Sequence, residues 1–301
     1  MTRRLLVTGL GGFVAGSVIA QGREAWSIDA ISSPNHSLSI EGVRCHSLDL
    51  RDSDRLEELF KACSPNAVIH AAAKADIDFC EKNPAEADEM NVGVTQTLAE
   101  CCDRLGAKMV FCSTDTVFDG AKGHYTEEDH PRPVNLYGET KVRAEEIVLG
   151  KLKDSVVARL ALVMGFPVHG SGNSFLVKTI ASLKEGKEVK FPENEIRTPI
   201  DVVTLGQALL ELAGHPHAGI FHLAGNTRLN RYEMGREIAR HLGFTTDLII
   251  STDSNAMPGR APRPNDASLD NSKAWIRLET KMKDLIEGLD HAVQFKEQYH
   301  G

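Results

Sequence analysis

The chain opens on an apolar run that stops on glycines. RLLVTG (4–9) leads at once into Leu10-Gly11-Gly12-Phe13-Val14-Ala15-Gly16. A short apolar run closed by glycine reads as a buried strand. Glycine lets the turn take conformations closed to other residues and approach a ligand closely. The helix that follows offers free N–H groups in its first turn, which favour phosphate. Read as TGxxGxxG, the pattern puts Gly9 and Gly12 in the first two places, Ala15 in the third and Gly16 directly after it. Such a turn points to a dinucleotide when it stands between a strand and a helix at the head of a β-α-β series, and it stands there here. A tight strand–helix turn with no ligand is the plainer alternative. No GK[ST] follows, which disfavours a nucleotide-hydrolysing loop. Two arginines before the apolar run imitate a secretory leader. The run breaks at Gly9 without a small-residue cleavage pattern, so a first strand is the better reading.

The rest of the chain keeps that alternation. AWSIDAI (25–31), VRCHSL (43–48), NAVIHAAA (66–73), KMVFCS (108–113) and SVVARLAL (155–162) are further apolar runs. Between them, DSDRLEELFKAC (52–63) and PAEADEMNVGVTQTLAECCDRLG (84–106) carry helical spacing. The fold class expected is α/β, a Rossmann-type doubly wound parallel sheet with ligands at the carboxyl ends of its strands. After about residue 163 the pattern loosens: 166–175 is rich in turn residues and 254–266 carries three prolines. GIFHLAG (219–225) reads as one more strand. The expected division is a dinucleotide-binding unit, 1–163 with 198–225 returning to the sheet, and a smaller substrate lobe, 164–197 and 226–301.

A formal net charge of −8, with no block of five or six basic residues, makes nucleic acid or an anionic membrane a poor partner. No apolar run reaches the eighteen residues that a membrane span needs. The six cysteines show no CxxC spacing, and Cys101 and Cys102 are adjacent. That suits neither zinc nor a disulfide framework, and points to reduced, buried thiols in a cytoplasmic protein. His215-Pro-His217 is the closest histidine pair and looks like a loop, so no metal is expected.

Two stretches carry chemistry. FCSTDTVFDG (111–120) follows a buried strand with Ser113, Thr114, Asp115 and Thr116, at the sheet edge where ligands bind. These residues either face a ligand or merely cap the strand. In NLYGETKVRAEE (135–146), Tyr137 and Lys141 are four apart and share a helix face. An ammonium beside a phenol lowers its pKa and suits it to proton transfer. In isolation, a solvated surface pair explains that spacing equally well.

Together the motifs resemble the extended short-chain dehydrogenase/reductases, and within them the dTDP-4-dehydrorhamnose reductase group. HAAAKADIDFCE (70–81) is similar to that group's NAAA segment with His70 in place of asparagine. Asn91-Val92-Gly93-Val94-Thr95 matches its helical asparagine motif, Gly219–Gly225 its GIYHLAG, and RPNDASLD (263–270) its late RPxxSxLD. The resemblance spans residues 4 to 275. It implies that Tyr137 donates a proton to a substrate carbonyl, Lys141 tunes the tyrosine and holds the nicotinamide ribose, and Thr114 orients the carbonyl. It also implies cofactor contacts at Gly9, Gly11, Gly12, Phe13, Val14, Ser32, Ser33, Asp49, Leu50, Ala71, Ala72, Ala73 and Asn91, and substrate contacts at Asp115, Arg197 and Arg263.

The implied function is NAD(P)H-dependent reduction of a nucleotide-linked 4-keto-6-deoxy sugar. Related dehydratases carry Asp-Glu after the threonine, the glutamate being a base; Asp115-Thr116 lacks it. Epimerases usually lack VFDG. NAD-selective sites hold an acid at the end of the second strand. Ser32 and Ser33 stand near that position and Asp29 falls earlier, so NADP(H) is favoured, with NAD(H) the other option. Asp49 could instead belong to the capping region of the next helix. RTPIDVVTLG (197–206) departs from the group's RTPTYVDDLA at Asp201, Val203 and Thr204, which leaves the particular sugar open. Arg197, Arg260 and Arg263 could meet a diphosphate or lie at the surface. A symmetric dimer is the prior expectation. The alternatives are an epimerase of the same superfamily, or a cofactor-binding regulatory subunit like the β subunit of methionine adenosyltransferase, which resembles the same group.

Overall fold

The computed structural model describes residues 2–35, 38–170, 172–254 and 259–300. Seven apolar runs become strands of one sheet: β1 Arg3–Leu10, β2 Trp26–Ser32, β3 Val43–Ser47, β4 Ala67–His70, β5 Lys108–Thr114, β6 Val156–Leu160 and β7 Gly219–Leu223. The order is β7-β6-β5-β4-β1-β2-β3 and every pairing is parallel. The chain winds outward from β1 in both directions, so the topological switch lies between β1 and β4, where such sheets bind ligands.

Successive side chains on a strand face opposite sides, and both sides are covered. Leu5, Val7, Ala67, Ile69, Val110, Val156 and Ala158 pack in one cluster with the helices Phe13–Gly22 and Val202–Gly214. Leu6, Val68, Met109, Phe111 and Val157 pack in a second cluster with the helices Ser53–Cys63, Val94–Leu105 and Leu136–Lys151. Continuous apolar strands are the consequence: no position on either face is free to be polar without a buried partner.

The segment 84–106 is not one α-helix. It runs as Pro84–Asp88, a π-helical turn Glu89–Gly93, and then Val94–Leu105. The Val94 N–H reaches back to the Glu89 carbonyl. Such a turn widens the helix by one residue and commonly marks a functional position. Here it turns Asn91 inward, where it is buried.

Outside the large sheet lie three short pairs. Val163–Met164 runs parallel to Ile200–Asp201, and Val189–Pro192 parallel to Ile249–Thr252, while Ile196–Arg197 is antiparallel to Leu229–Asn230. Two small apolar clusters hold these pairs to the helices Phe175–Lys184, Arg231–His241 and Leu285–His300. The turn-rich 166–175 and proline-rich 254–266 stretches are partly outside the described residues, which omit 171 and 255–258. Among the described residues, no helix is long and apolar enough to cross a membrane.

Candidate active site

At the switch point a cavity of about 730 Å³ opens beside the glycine turn. Gly9, Gly11, Gly12, Ser32, Ser33, Asp49, Leu50, Ala71, Ala72 and Ala73 all line it. Gly9 and Gly11 have φ of +88° and +95°, the left-handed region that side chains rarely adopt. A Cβ at Gly9 would also press on the Ala71–Ala72 backbone. The helix beginning at Phe13 has Gly12 as its N-cap and no side-chain cap, so its first N–H groups face the cavity side unblocked. Phe13 and Val14 belong to that helix and are not among the cavity's lining residues.

The end of β2 presents Ser32 and Ser33, without an acid. Asp29 lies inside the strand, held by Arg44 at 2.6 Å and His46 at 2.8 Å, and is committed to that ion pair. Asp49 does not cap the next helix. Asp52 does, accepting from the Arg55 N–H, while Asp49 pairs with Arg51 at 2.6 Å on the cavity wall.

A second cavity, about 650 Å³, opens at the opposite, amino edge of the sheet. Two of its cations answer carbonyls at and just beyond a helix C-terminus: Arg3 donates to Gly214, and Lys108 to His215 and His217. His215 and His217 belong to this wall, with ring centroids 6.3 Å apart. Among the described residues, no group of three His, Cys, Asp or Glu could hold a metal.

The catalytic candidates converge on the carboxyl edge. Thr114 ends β5, and its hydroxyl caps the short turn Asp115–Val117, accepting from the Thr116 N–H at 3.2 Å. Asn135 caps the helix Leu136–Lys151 through the Gly138 N–H at 2.9 Å. A Cβ at Gly138 would collide with the Thr116 carbonyl, so glycine allows the helix to press onto the Thr114 turn. Tyr137 is thereby buried, with the Thr114 side chain close enough to act on its phenol. The Lys141 ammonium rests 4.0 Å above the Phe111 ring. Asn91 accepts from the Lys74 N–H at 2.9 Å and donates to the Lys74 carbonyl and to Thr140 at 3.1 and 3.0 Å. The π turn is thus pinned to the helix that carries Tyr137 and Lys141.

The electrostatics differ from the expectation at Tyr137. Burial raises the phenol's pKa, with Asp115 and Cys80 adding to it, while Thr114 opposes. Lys141 is not what governs it in the protein alone. Burial instead pulls Lys141 down to about 8, against Cys112 and Glu145. The pair therefore enters neutral pH as a neutral phenol and a charged ammonium. Asp115 is buried and raised by desolvation, against the pull of Arg197. Its Oδ2 makes no hydrogen bond among the described residues and has only Arg197 Nε, 3.5 Å away, beside it, which leaves it able to accept from a substrate hydroxyl.

The three arginines are buried or half-buried, and each is held by protein partners. Arg197 is buried, donates to the Ile196, Pro264 and Asn265 carbonyls, and lies 3.5 Å from Asp115. Arg263 forks onto Asp78 at 2.9 Å on both oxygens. Arg260 meets Glu195 at 2.6 Å. Glu195 and Arg231 complete this cluster, and sequence reading did not single them out. Arg231 lies 3.9 Å from Glu195 and over Phe175 and Phe191. The only signal was the local charge density of ENEIR, which looks like ordinary solvated surface.

A parallel sheet with this strand order, a glycine turn at its switch point and a Thr/Tyr/Lys set on the same edge define a Rossmann-type protein of the extended short-chain dehydrogenase/reductase kind. More narrowly, the chain belongs to the RmlD substrate binding domain family, whose model matches residues 3–297. It is similar to methionine adenosyltransferase 2 subunit beta of Rattus norvegicus, 29% identical over 278 residues, covering 90% of this chain and 81% of that one. Among solved structures it is similar to a hypothetical dTDP-4-dehydrorhamnose reductase from Sulfolobus tokodaii, with a TM-score of 0.83 and 31% identity, covering 95% of this chain and 99% of that one. The dTDP-4-dehydrorhamnose reductase from Bacillus anthracis, solved in complex with NADP, shares the fold at a TM-score of 0.87 and 22% identity, covering 98% and 100%.

Proposed function

We propose that this protein is an NAD(P)H-dependent reductase of a nucleotide-linked 4-keto-6-deoxy sugar, with NADP(H) preferred. The observation that carries the reading is the meeting of Thr114, Tyr137 and Lys141 at the sheet edge, in a fold whose glycine-turn cavity fits a dinucleotide. The fit rests on the left-handed glycines, the uncapped helix start and the hydroxyls of Ser32 and Ser33 where an acid would repel a 2′-phosphate. Gly9, Gly11, Gly12, Phe13 and Val14 would hold the pyrophosphate, Ser32 and Ser33 the adenosine ribose, and Asp49 and Leu50 the adenine. Ala71, Ala72, Ala73 and Asn91 would follow the nicotinamide half. The cofactor, when bound, supplies the hydride.

Tyr137, neutral at pH 7, gives its proton to the carbonyl oxygen as that oxygen gains charge. Thr114 donates to the same oxygen and fixes its direction. Lys141 stays charged below about pH 8, holds the ribose and stabilises the phenolate left behind. The buried Oδ2 of Asp115 accepts from a sugar hydroxyl. Arg197 and Arg263 contribute by fixing Asp115 and the 261–265 segment around the substrate. Residues 1–163 with 198–225 would carry the cofactor, and 164–197 with 226–301 the sugar nucleotide. A cytoplasmic homodimer is the assembly in this reading.

The test is absorbance loss of NADPH and of NADH with dTDP-4-keto-6-deoxyglucose, with and without a 3,5-epimerase. Turnover abolished by Tyr137→Phe supports the reading; tight cofactor binding with no turnover rejects this substrate. The likeness to the methionine adenosyltransferase β subunit favours a second reading, a cofactor-binding regulatory subunit. Stable co-purification with another protein, without turnover on any keto-sugar, would select it.

A further inference from the structure

A buried ion pair between β6 and the Tyr137–Lys141 helix lies directly behind the candidate site. Glu145 stands one helical turn beyond Lys141, with its side chain about 4% exposed, and Arg159 on β6 is about 2% exposed. The guanidinium grips the carboxylate from Nε at 3.1 and 3.2 Å and from Nη2 at 2.8 Å. Ser113, the residue before Thr114, donates its hydroxyl to the same carboxylate. Arg159 Nη1 also reaches His222 Nε2 at 3.4 Å. An arginine only donates, so this nitrogen accepts, and His222 gives its Nδ1–H to the Tyr125 carbonyl at 3.0 Å.

We propose that Glu145 is a positioning residue of the active site: clamped by Arg159, it ties the Thr114 end of β5 to the Tyr137–Lys141 helix and sets a fixed negative charge behind the Lys141 ammonium. The inference rests on the reductase reading. A buried pair alone is weak evidence for stability, since desolvation offsets the attraction. What singles this one out is the third partner. Ser113 couples the carboxylate to the strand end that carries Thr114, and the helix couples it to Lys141. The groups facing Lys141 are Tyr137 and Glu145 on its own helix, Cys112 and the Phe111 ring on β5, and His70 on β4. Cys112 is a buried thiol and His70 is neutral, so Glu145 is the one full negative charge among them.

Carbon-13 NMR titration of the lysines in the full-length protein, with Lys141 assigned by Lys141→Arg, reads the effect whether or not a substrate turns over. Glu145→Gln should move the Lys141 titration down by about one pH unit. The alkaline limb of kcat/KM should move with it. Glu145→Asp, which keeps the charge and shortens the arm, should leave the titration in place yet lower kcat. Ser113→Ala should lower kcat about tenfold with the KM for NADPH unchanged. If Glu145→Gln does not fold because Arg159 is left bare, Ser113→Ala decides. An unchanged Lys141 titration, or a full kcat in Ser113→Ala, overturns the proposal. Absence of turnover in the wild type would instead reject the reductase reading and leave the titration to judge this one.

Discussion

Tyr137 and Lys141 are both buried, and burial acts on them in opposite senses: it keeps the phenol protonated and makes the ammonium easier to lose. For a reduction both must carry their protons. The limiting group on the alkaline side is therefore Lys141, and kcat/KM for reduction should fall as pH rises through about 8. Lys141→Met should remove that limb along with most of the activity, and a pH–rate profile of both proteins checks it. Tyr137→Phe should lower kcat by about 10²-fold or more while cofactor fluorescence still reports binding. The spacing of Tyr137 and Lys141 was legible in the sequence. The sign of the tyrosine's shift was not, because desolvation depends on what packs over the ring, and spacing says nothing about that.

Among elements, the π turn Glu89–Gly93 is the one that periodicity missed. Its residues continue the apolar spacing of the helices on either side, and one extra residue in a turn leaves no mark in that pattern. Its consequence is Asn91, whose three hydrogen bonds join the Lys74 backbone to Thr140. Asn91→Ala should leave that partly buried amide and carbonyl unpaired and cost about 1 kcal/mol, read as a lower urea midpoint. Activity should fall further than stability, since Lys74 lies on the cavity wall. The helix Ser53–Cys63 is the opposite case: its apolar spacing was plain in the sequence and is found, although its cap is Asp52 and not Asp49.

At the scale of the whole molecule, two histidines among the described residues, His70 and His222, are buried in neutral form. His70 lies between Thr8 and Thr95, and His222 between Arg159 and Tyr125. Burial holds both near 3. The unfolded chain takes up their protons below about 6.5 while the folded one does not, so stability should fall as pH drops from there towards 3. The expected slope is about 1.4 kcal/mol per pH unit for each histidine. Urea melts at pH 7 and pH 5 check it, and His70→Asn should flatten the slope by one histidine's share. Seven strands, their parallel class and the glycine turn were determined by the sequence alone, because a strand buried on both faces must be apolar throughout and a turn against a ligand must be glycine. Which side chains meet was decided only by tertiary structure. Arg197, Arg260 and Arg263 look like free surface charges until the fold brings Asp115, Glu195 and Asp78 to them. Arg159, a charge within the apolar run VVARL, demanded a partner that only the fold could name as Glu145. Local pattern fixes what a residue needs, and the packing of distant segments fixes what supplies it.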